Sequence, residues 1–566
     1  MKLRLTLAAL LFSAATAAWL YRVESQPAPD RSGDVAVGTR GMVVCVSPPA
    51  AEAGLAVLKK GGTAVDAAVA VGFALAVTYP PAGNIGGGGF MIVHPGAGKE
   101  PAFFDYREMA PAAATPDMFA KGTDRFSPKA VGVPGTVRGL ELAHRRFGKL
   151  PWKDLVLPAV RLAEEGFPLE RPMAESLNRV LDSSRTPAEF RRVYGPPEGK
   201  KRWEPGDRLV QPELARTLRR IAEEGPDAFY TGELAELLES EMKRSGGLIT
   251  REDLKAYRAR ERKPTHGTFR GYDVYAAAPP SSGGVALVQM LNILETFDLK
   301  RAGRWSAEAN HLIIEAMRRA YRDRARYLGD PDFVEVPAFL TSKEYARKLA
   351  EGIDPNKATP SAALAGDIPL APEGEHTTHF SVIDKNGLAV SNTYTLEASY
   401  GTRIVVKGAG YLLNNEMTDF NHRPGYTDRL GAIGTEPNRV APHKRMLSSM
   451  CPTIVARDGK PVLITGSPGG RTIINTVLCV VLNVTEFGMD VRAAVDAPRL
   501  HHQWFPDLVR FEGVREHPLL VQKLRAMGHT VLGTRQGDAH TIRIDPETGK
   551  YLGAADRRIH GAARGY

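Results

Sequence analysis

Two strand-like runs separated by Asn386-Gly387 set the frame for this chain. From Phe380 to Ile383 the residues are apolar and mostly β-branched, with Ser381 as the small polar exception. Leu388 to Thr395 repeats the strand-like composition. Asn-Gly favours a type I′ hairpin, because both central residues of that turn need φ > 0. The spacing predicts a β-hairpin with Thr377 at its mouth. Ahead of it, the Pro-, Ala- and Gly-rich stretch 358–375 reads as a loop. A threonine that enters a strand from a loop is ordinary on its own, since β-branched residues favour strands. It gains chemistry under one condition. An internal threonine hydroxyl has no base. If the chain is cut between His376 and Thr377, the new α-amino group has a pKa of about 7.7–8.0 and sits beside the hydroxyl as its base. Periodicity does not show that a cut occurs.

The rest of the chain narrows the classes. The N-terminus reads as a secretory signal: Lys2 and Arg4, then the mostly apolar 5–12, then Ala15-Thr16-Ala17 as a cleavage site. This predicts an exported protein, periplasmic or extracellular, with an uncleaved anchor reaching Tyr21 as the alternative. Residues 23–34 read as a linker. Three cysteines, Cys45, Cys451 and Cys479, have small or apolar neighbours, which suggests buried thiols instead of a disulfide framework. No CxxC and no His/Cys cluster at metal spacing is present, so neither a metal nor another cofactor is expected. The net charge of +10 invites a nucleic-acid partner. The basic residues are interspersed with acidic and apolar ones, as in Glu315–Arg324, whereas nucleic-acid binding calls for a concentrated stripe.

Local signals place several elements. Ala50–Lys60 has helical spacing and stops at Gly61-Gly62. Thr63-Ala64-Val65-Asp66 resembles a capping box, with Asp in place of Glu or Gln. The helix after it, to about Val77, is apolar all round and should be buried. Pro81–Phe90 is Gly-rich, but a helix precedes it and a strand follows, the reverse of a dinucleotide fingerprint. Helical patterns dominate from Val131 to about Leu349, clearest at 150–166, 212–225 and 306–328. Pro279-Pro280-Ser281-Ser282-Gly283-Gly284 interrupts them, with serines that read as caps.

Four further stretches carry polar groups. Phe103–Pro111 holds Arg107, by itself a strand-end arginine facing a nearby acid. Gly410–Phe420 reads as a strand running into an acidic turn with Glu416 and Asp419, which alone suits a solvated turn or a fragment of a calcium loop. Asn421–His443 is long enough for a lid or binding loop. Lys444–Met450 holds Ser448 and Ser449, usually a cap or turn pair. Thr465–Thr472 is a Gly loop before an apolar helix at 473–484. It lacks GK[ST] and is no G-x-S-x-G elbow. Backbone N–H groups at such a helix start can stabilise an oxyanion.

The run Thr377-Thr378-His379-Phe380-Ser381-Val382 resembles the start of the small subunit of γ-glutamyltranspeptidases, self-cleaving N-terminal-nucleophile hydrolases. The resemblance continues through 61–90, 103–111, 279–284, 394–397, 410–420, 444–450, 465–472, Ala554–Arg558 and Gly565-Tyr566. It implies an α+β fold, a four-layer αββα sandwich built by both cleaved segments, with residues 18–376 as the large and 377–566 as the small subunit. It implies Thr377 as nucleophile, Thr395 as its orienting partner, and Gly469 and Gly470 as oxyanion hole. It also implies a head-group site. Arg107, Ser448 and Ser449 take the α-carboxylate, and Glu416 and Asp419 take the α-ammonium. Glu397, a position that is Asn in some members, is a further substrate contact. The donors implied are glutathione and other γ-glutamyl compounds, with water, amino acids or peptides as acceptors. Two rivals remain: a glutaryl or cephalosporin acylase of the same fold, and an uncleaved, non-catalytic envelope protein.

Overall fold

The computed structural model describes residues 35–96, 98–122, 124–366, 378–423, 425–430, 433–559 and 561–566. The signal-like 1–17, the linker 23–34, and the His376–Thr377 junction lie outside them.

Two seven-stranded antiparallel sheets dominate. In the first, the order from edge to edge is Ala562–Gly565, Gly41–Cys45, Thr378–Asp384, Ala389–Thr395, Gly88–His94, Ala102–Tyr106 and Arg260–Arg262. In the second it is Ala36–Gly38, Tyr551–Ala554, Thr541–Ile544, Lys460–Thr465, Thr453–Arg457, Tyr272–Ala276 and Thr265–Phe269. The central strands of the two sheets pack on each other. Helices Pro48–Lys59, Ala64–Thr78 and Thr136–Phe147 cover the outer face of the first sheet, and Gly283–Leu294 and Thr472–Thr485 the outer face of the second. This is the expected αββα sandwich.

Alternation along each strand explains the layers. On Gly41–Cys45, Val43 and Cys45 point to the helices, while Met42 and Val44 join the core between the sheets. On Thr378–Asp384, Phe380 and Val382 face the helices. His379 and Ser381 face inward, where His379 bonds Thr393 Oγ1 at 2.8 Å and Ser381 Oγ donates to His540 O at 2.8 Å. The inner face is therefore polar at the end of the strand nearest Thr377.

The helix Ala64–Thr78 is buried at every position, as its all-round apolarity predicts. Its capping box is real: Asp66 N donates to Thr63 Oγ1 at 3.1 Å, and Thr63 N to Asp66 Oδ2 at 2.8 Å. The Gly-rich loop after it allows close backbone approach. A Cβ on Gly87 would lie 2.1 Å from Thr395 O.

Three expectations need correction. The 378–395 hairpin closes through three residues, 385–387, and not through a type I′ turn: Gly387 has φ 77° while Asn386 stays out of the positive-φ region. Gly387 N donates to Asp384 O, and the Asp384 carboxylate accepts from Asn386 N and Leu388 N. That aspartate favours a type I turn with a glycine bulge. Both central residues have positive φ instead at Arg270-Gly271, between Thr265–Phe269 and Tyr272–Ala276. Those strands lie inside the stretch read as helical. Gly410–Asn415 forms no ladder strand, only an isolated bridge between Leu412 and Val405. All three cysteines are buried and unpaired. Among the described residues no helix is long and apolar enough to cross a membrane.

Candidate active site

Arg107 follows the strand Ala102–Tyr106 and is 1% exposed. Its Nη1 lies 2.6 Å from Glu416 and its Nη2 2.5 Å from Asp419. Its Nε donates to Met446 O at 3.2 Å, and its Nη2 reaches Leu447 O at 3.5 Å. Residues 444–449 thus run along 107–110, joined also by Ala110 N to Lys444 O. The reading of Arg107 as a strand-end arginine facing a nearby acid holds, with Glu416 and Asp419 as the acids. Burial opposes the Arg107 charge, but Glu416 and Asp419 outweigh it and hold its pKa above the ordinary value.

Glu416 opens the 3₁₀ turn Glu416–Asp419 and is fully buried, so the turn is not a solvated one. Asp419 keeps 25% of its side chain exposed and forms the accessible edge. Glu397 sits two residues past Thr395 at φ 72°, where a non-glycine residue is strained. Asn415 Nδ2 donates to its carboxylate, and its own N–H donates to Thr395 Oγ1 at 2.8 Å. Burial and then Asp419 push the Glu397 carboxyl up to about 7. Burial also raises Glu416 well above the carboxylate range, against the pull of Arg107.

Glu108 is a member that sequence reasoning missed. It is fully buried, 3.6 Å from Arg107 Nη1, and neither oxygen meets hydrogen-bond geometry with a described residue. Burial, opposed by Arg107, pushes it up to about 8. The Arg107 guanidinium pairs with three carboxyls, Glu108, Glu416 and Asp419, and a fourth, Glu397, lies in the same cluster under the weaker pull of Arg125 and Arg107. Burial and the excess of acids over nearby guanidiniums together keep protons in the cluster near neutral pH. This has a measurable consequence. The Glu108 proton is held to about pH 8 in the fold, against 4.5 for an ordinary carboxyl. The associated stability is complete below the ordinary value and is lost as pH rises through about 8. Melting temperature should therefore fall between about pH 5 and 9, and Glu108→Gln should flatten that fall. An unchanged profile in the variant would contradict the assignment.

Ser448 and Ser449 are buried next to Leu447. Met450 N donates to Ser448 Oγ, and Arg324 Nη2 donates to Ser449 Oγ, both at 3.0 Å. The same helix, Ala307–Tyr327, reaches the glycine loop, where Tyr321 OH donates to Arg471 O. Gly469 and Gly470 take φ 129° and 55°, both left-handed, just before the helix Thr472–Thr485. Their position at the start of a 14-residue helix suits an oxyanion. One helix therefore ties the serine pair to the glycine loop. Ser281 and Ser282 brace the serines, donating to Met450 O and Ser448 O.

The segment 421–443 returns on itself at its base, where Asn421 N donates to Asn438 O at 2.9 Å. Asn438 bonds Asp419 O at 2.7 Å and Leu447 N at 2.8 Å. Tyr426 and Leu430 are exposed. The base of the segment is thus fixed to the site; residues 424, 431 and 432 are outside the described part. The structure gathers Arg107, Glu397, Glu416, Asp419, Ser448 and Ser449, with Thr395 adjoining Glu397. Thr377 is not among the described residues. Thr378, which follows it, pairs with Tyr394, and Thr395 is the next residue on that partner strand.

The sequence showed no metal-spaced cluster, yet the fold brings His311, Glu315 and His529 within 4.8 Å of one another. His311 and Glu315 are one helical turn apart, the signal that was available. Their atoms are already engaged: the two rings bond each other at 2.8 Å, and Glu315 pairs with Arg318 and Arg319. A cation there would meet two guanidiniums.

Comparisons with known proteins agree with this geometry. The family model described as Gamma-glutamyltranspeptidase matches residues 50–566. A glutathione hydrolase proenzyme of Escherichia coli (strain K12) is 48% identical over 542 residues, covering 93% of this chain and 92% of the relative. One from Pseudomonas sp. (strain A14) is 44% identical over 549 residues, covering 93% and 94%. Among solved structures, the cephalosporin acylase of Bacillus halodurans superposes with a TM-score of 0.84 at 28% identity, covering 96% of this chain and 99% of that one. The chain belongs to the γ-glutamyltranspeptidase family.

Proposed function

We propose that this protein is a self-processing γ-glutamyltranspeptidase that acts on glutathione and related γ-glutamyl compounds. The observation that carries the reading is the charge pattern of the head-group site. One buried guanidinium and two serine hydroxyls suit an α-carboxylate. Around it Glu108, Glu416 and Asp419 outnumber the guanidinium even with protons retained on the buried acids, and the partly exposed Asp419 offers a carboxylate edge that suits an α-ammonium. The pocket is matched to a zwitterion.

The mechanism follows from the chain's own groups. Cleavage between His376 and Thr377 frees an α-amino group, which takes the Thr377 hydroxyl proton. The Thr377 oxygen attacks the γ-carbonyl carbon while Arg107, Ser448, Ser449, Glu416, Asp419 and Glu397 hold the head group. The amides of Gly469 and Gly470 receive the oxyanion, each supplying roughly 3–4 kcal/mol. Collapse of the tetrahedral adduct breaks the amide bond and releases the amine, which takes up the proton. Water then frees glutamate, or an amino acid or peptide takes the γ-glutamyl group. The signal-like 1–17 supports an exported site of action.

The test is an intact mass with N-terminal sequencing, followed by hydrolysis of a γ-glutamyl and a glutaryl anilide. Two chains, one starting at Thr377, with turnover of the γ-glutamyl donor are expected. Preference for the glutaryl anilide would assign the protein as an acylase. A whole, inactive chain would favour the envelope-protein reading.

A further inference from the structure

The two serines of the head-group site present their hydroxyls with a definite polarity. Each Oγ already accepts an N–H, from Met450 N in Ser448 and from Arg324 Nη2 in Ser449. A hydroxyl has one proton to give. With a lone pair occupied by a protein donor, each serine is set to give that proton to a ligand, as carboxylate binding requires.

Arg324 stands behind both. Its Nε donates to Ser282 Oγ at 2.9 Å. Ser282 in turn donates its hydroxyl to Ser448 O at 2.6 Å and its N–H to the same oxygen at 2.8 Å. One guanidinium therefore bonds the Ser449 hydroxyl directly and, through Ser282, the backbone carbonyl of Ser448. Arg324 is 6% exposed, and its side-chain bonds go to two serine hydroxyls and to no carboxylate among the described residues. A buried arginine is ordinarily paired with an acid. Here its positive charge is directed toward Ser449.

We propose that Arg324 is a positioning residue for carboxylate recognition: it orients the Ser449 hydroxyl as a donor, holds the Ser448 backbone in place through Ser282, and places a second positive charge behind the pair. The site then selects donors that carry a free α-carboxylate. The inference rests on the γ-glutamyl reading of the site given above.

A purely structural arginine and a positioning one differ in one readout. The processed enzyme is assayed with γ-glutamyl-p-nitroanilide and with its α-carboxamide counterpart. The wild type should prefer the carboxylate donor. Arg324→Gln should reduce that preference about 10-fold or more through KM, the scale of one charge-assisted hydrogen bond, and Arg324→Lys should restore part of it. Equal losses with both donors, leaving the preference intact, would overturn the inference alone. A wild type that turns over both donors without preference would overturn the head-group reading and this inference with it. If the Arg324 variants do not fold, Ser282→Ala decides. It removes the hydroxyl that joins Arg324 to the Ser448 carbonyl, leaving the backbone bond, and should reduce the preference by roughly threefold; an unchanged ratio would refute the coupling.

Discussion

Thr377→Ala should leave the protein as one uncut polypeptide and lower γ-glutamyl hydrolysis by about 10⁴-fold or more, as loss of a nucleophile does elsewhere. The two effects have one origin. The hydroxyl that attacks the substrate is also the group whose α-amino neighbour must first be released from its peptide bond. Before the cut, that nitrogen is an amide and accepts no proton. After it, an amine of pKa about 7.7–8.0 is available. Thr377→Ser keeps a hydroxyl in place and should retain both the cut and part of the activity. Intact mass and a γ-glutamyl anilide assay on each variant check this. A Thr377→Ala chain that is still cut before residue 377, or an uncut chain with full activity, would remove Thr377 from the mechanism.

Much of the fold around this site could be read along the chain because local physics decides it, whereas the roles of Thr377, Arg107, Glu416, Asp419, Ser448 and Ser449 came only from the family resemblance. The capping box at Thr63 and Asp66, the all-apolar helix behind it and the glycine stop at Gly61 each depend on neighbours within four residues. The hairpin was legible as a hairpin, but its turn was not. The Asp384 carboxylate, reaching Asn386 N and Leu388 N, outweighs the Asn-Gly preference. The strands Thr265–Phe269 and Tyr272–Ala276 were hidden for a different reason. Thr265–Phe269 is the edge strand of its sheet with exposed, polar alternate positions, and Tyr272–Ala276 beside it is mostly half-buried, so their apolar signal is weak beside the helices around them. Arg324 and Ser282 were beyond reach altogether. Their parts depend on contacts that span 125 residues to Ser449 and 166 to Ser448. Glu108 was visible as a residue, but its burial depends on packing against Gly88, whose missing side chain leaves room for the carboxyl.

Outside the nucleophile, Arg107→Gln should be the most damaging single change. It removes the cation from between Glu416 and Asp419 and leaves Glu108 beside them. Leaving buried charges without a partner costs about 3–5 kcal/mol, a large share of the roughly 5–15 kcal/mol that holds a domain together. The cluster can reduce that cost by taking up protons. Its carboxyls, already raised in the wild type by burial, would rise further. Groups with raised folded values give stability that is present at low pH and is lost as pH rises. The melting-temperature deficit of Arg107→Gln should therefore be smallest near pH 5 and largest near about pH 8. In activity, on the proposed role of Arg107 as a contact of the α-carboxylate, its loss should raise donor KM by about 10- to 100-fold. Arg107→Lys keeps the charge without the planar fork. It should recover most of the stability and less of the KM, because Glu416 and Asp419 need a cation while a carboxylate ligand needs two parallel donors. A variant whose KM and pH–stability profile match the wild type would mean that the guanidinium neither compensates these acids nor meets the substrate.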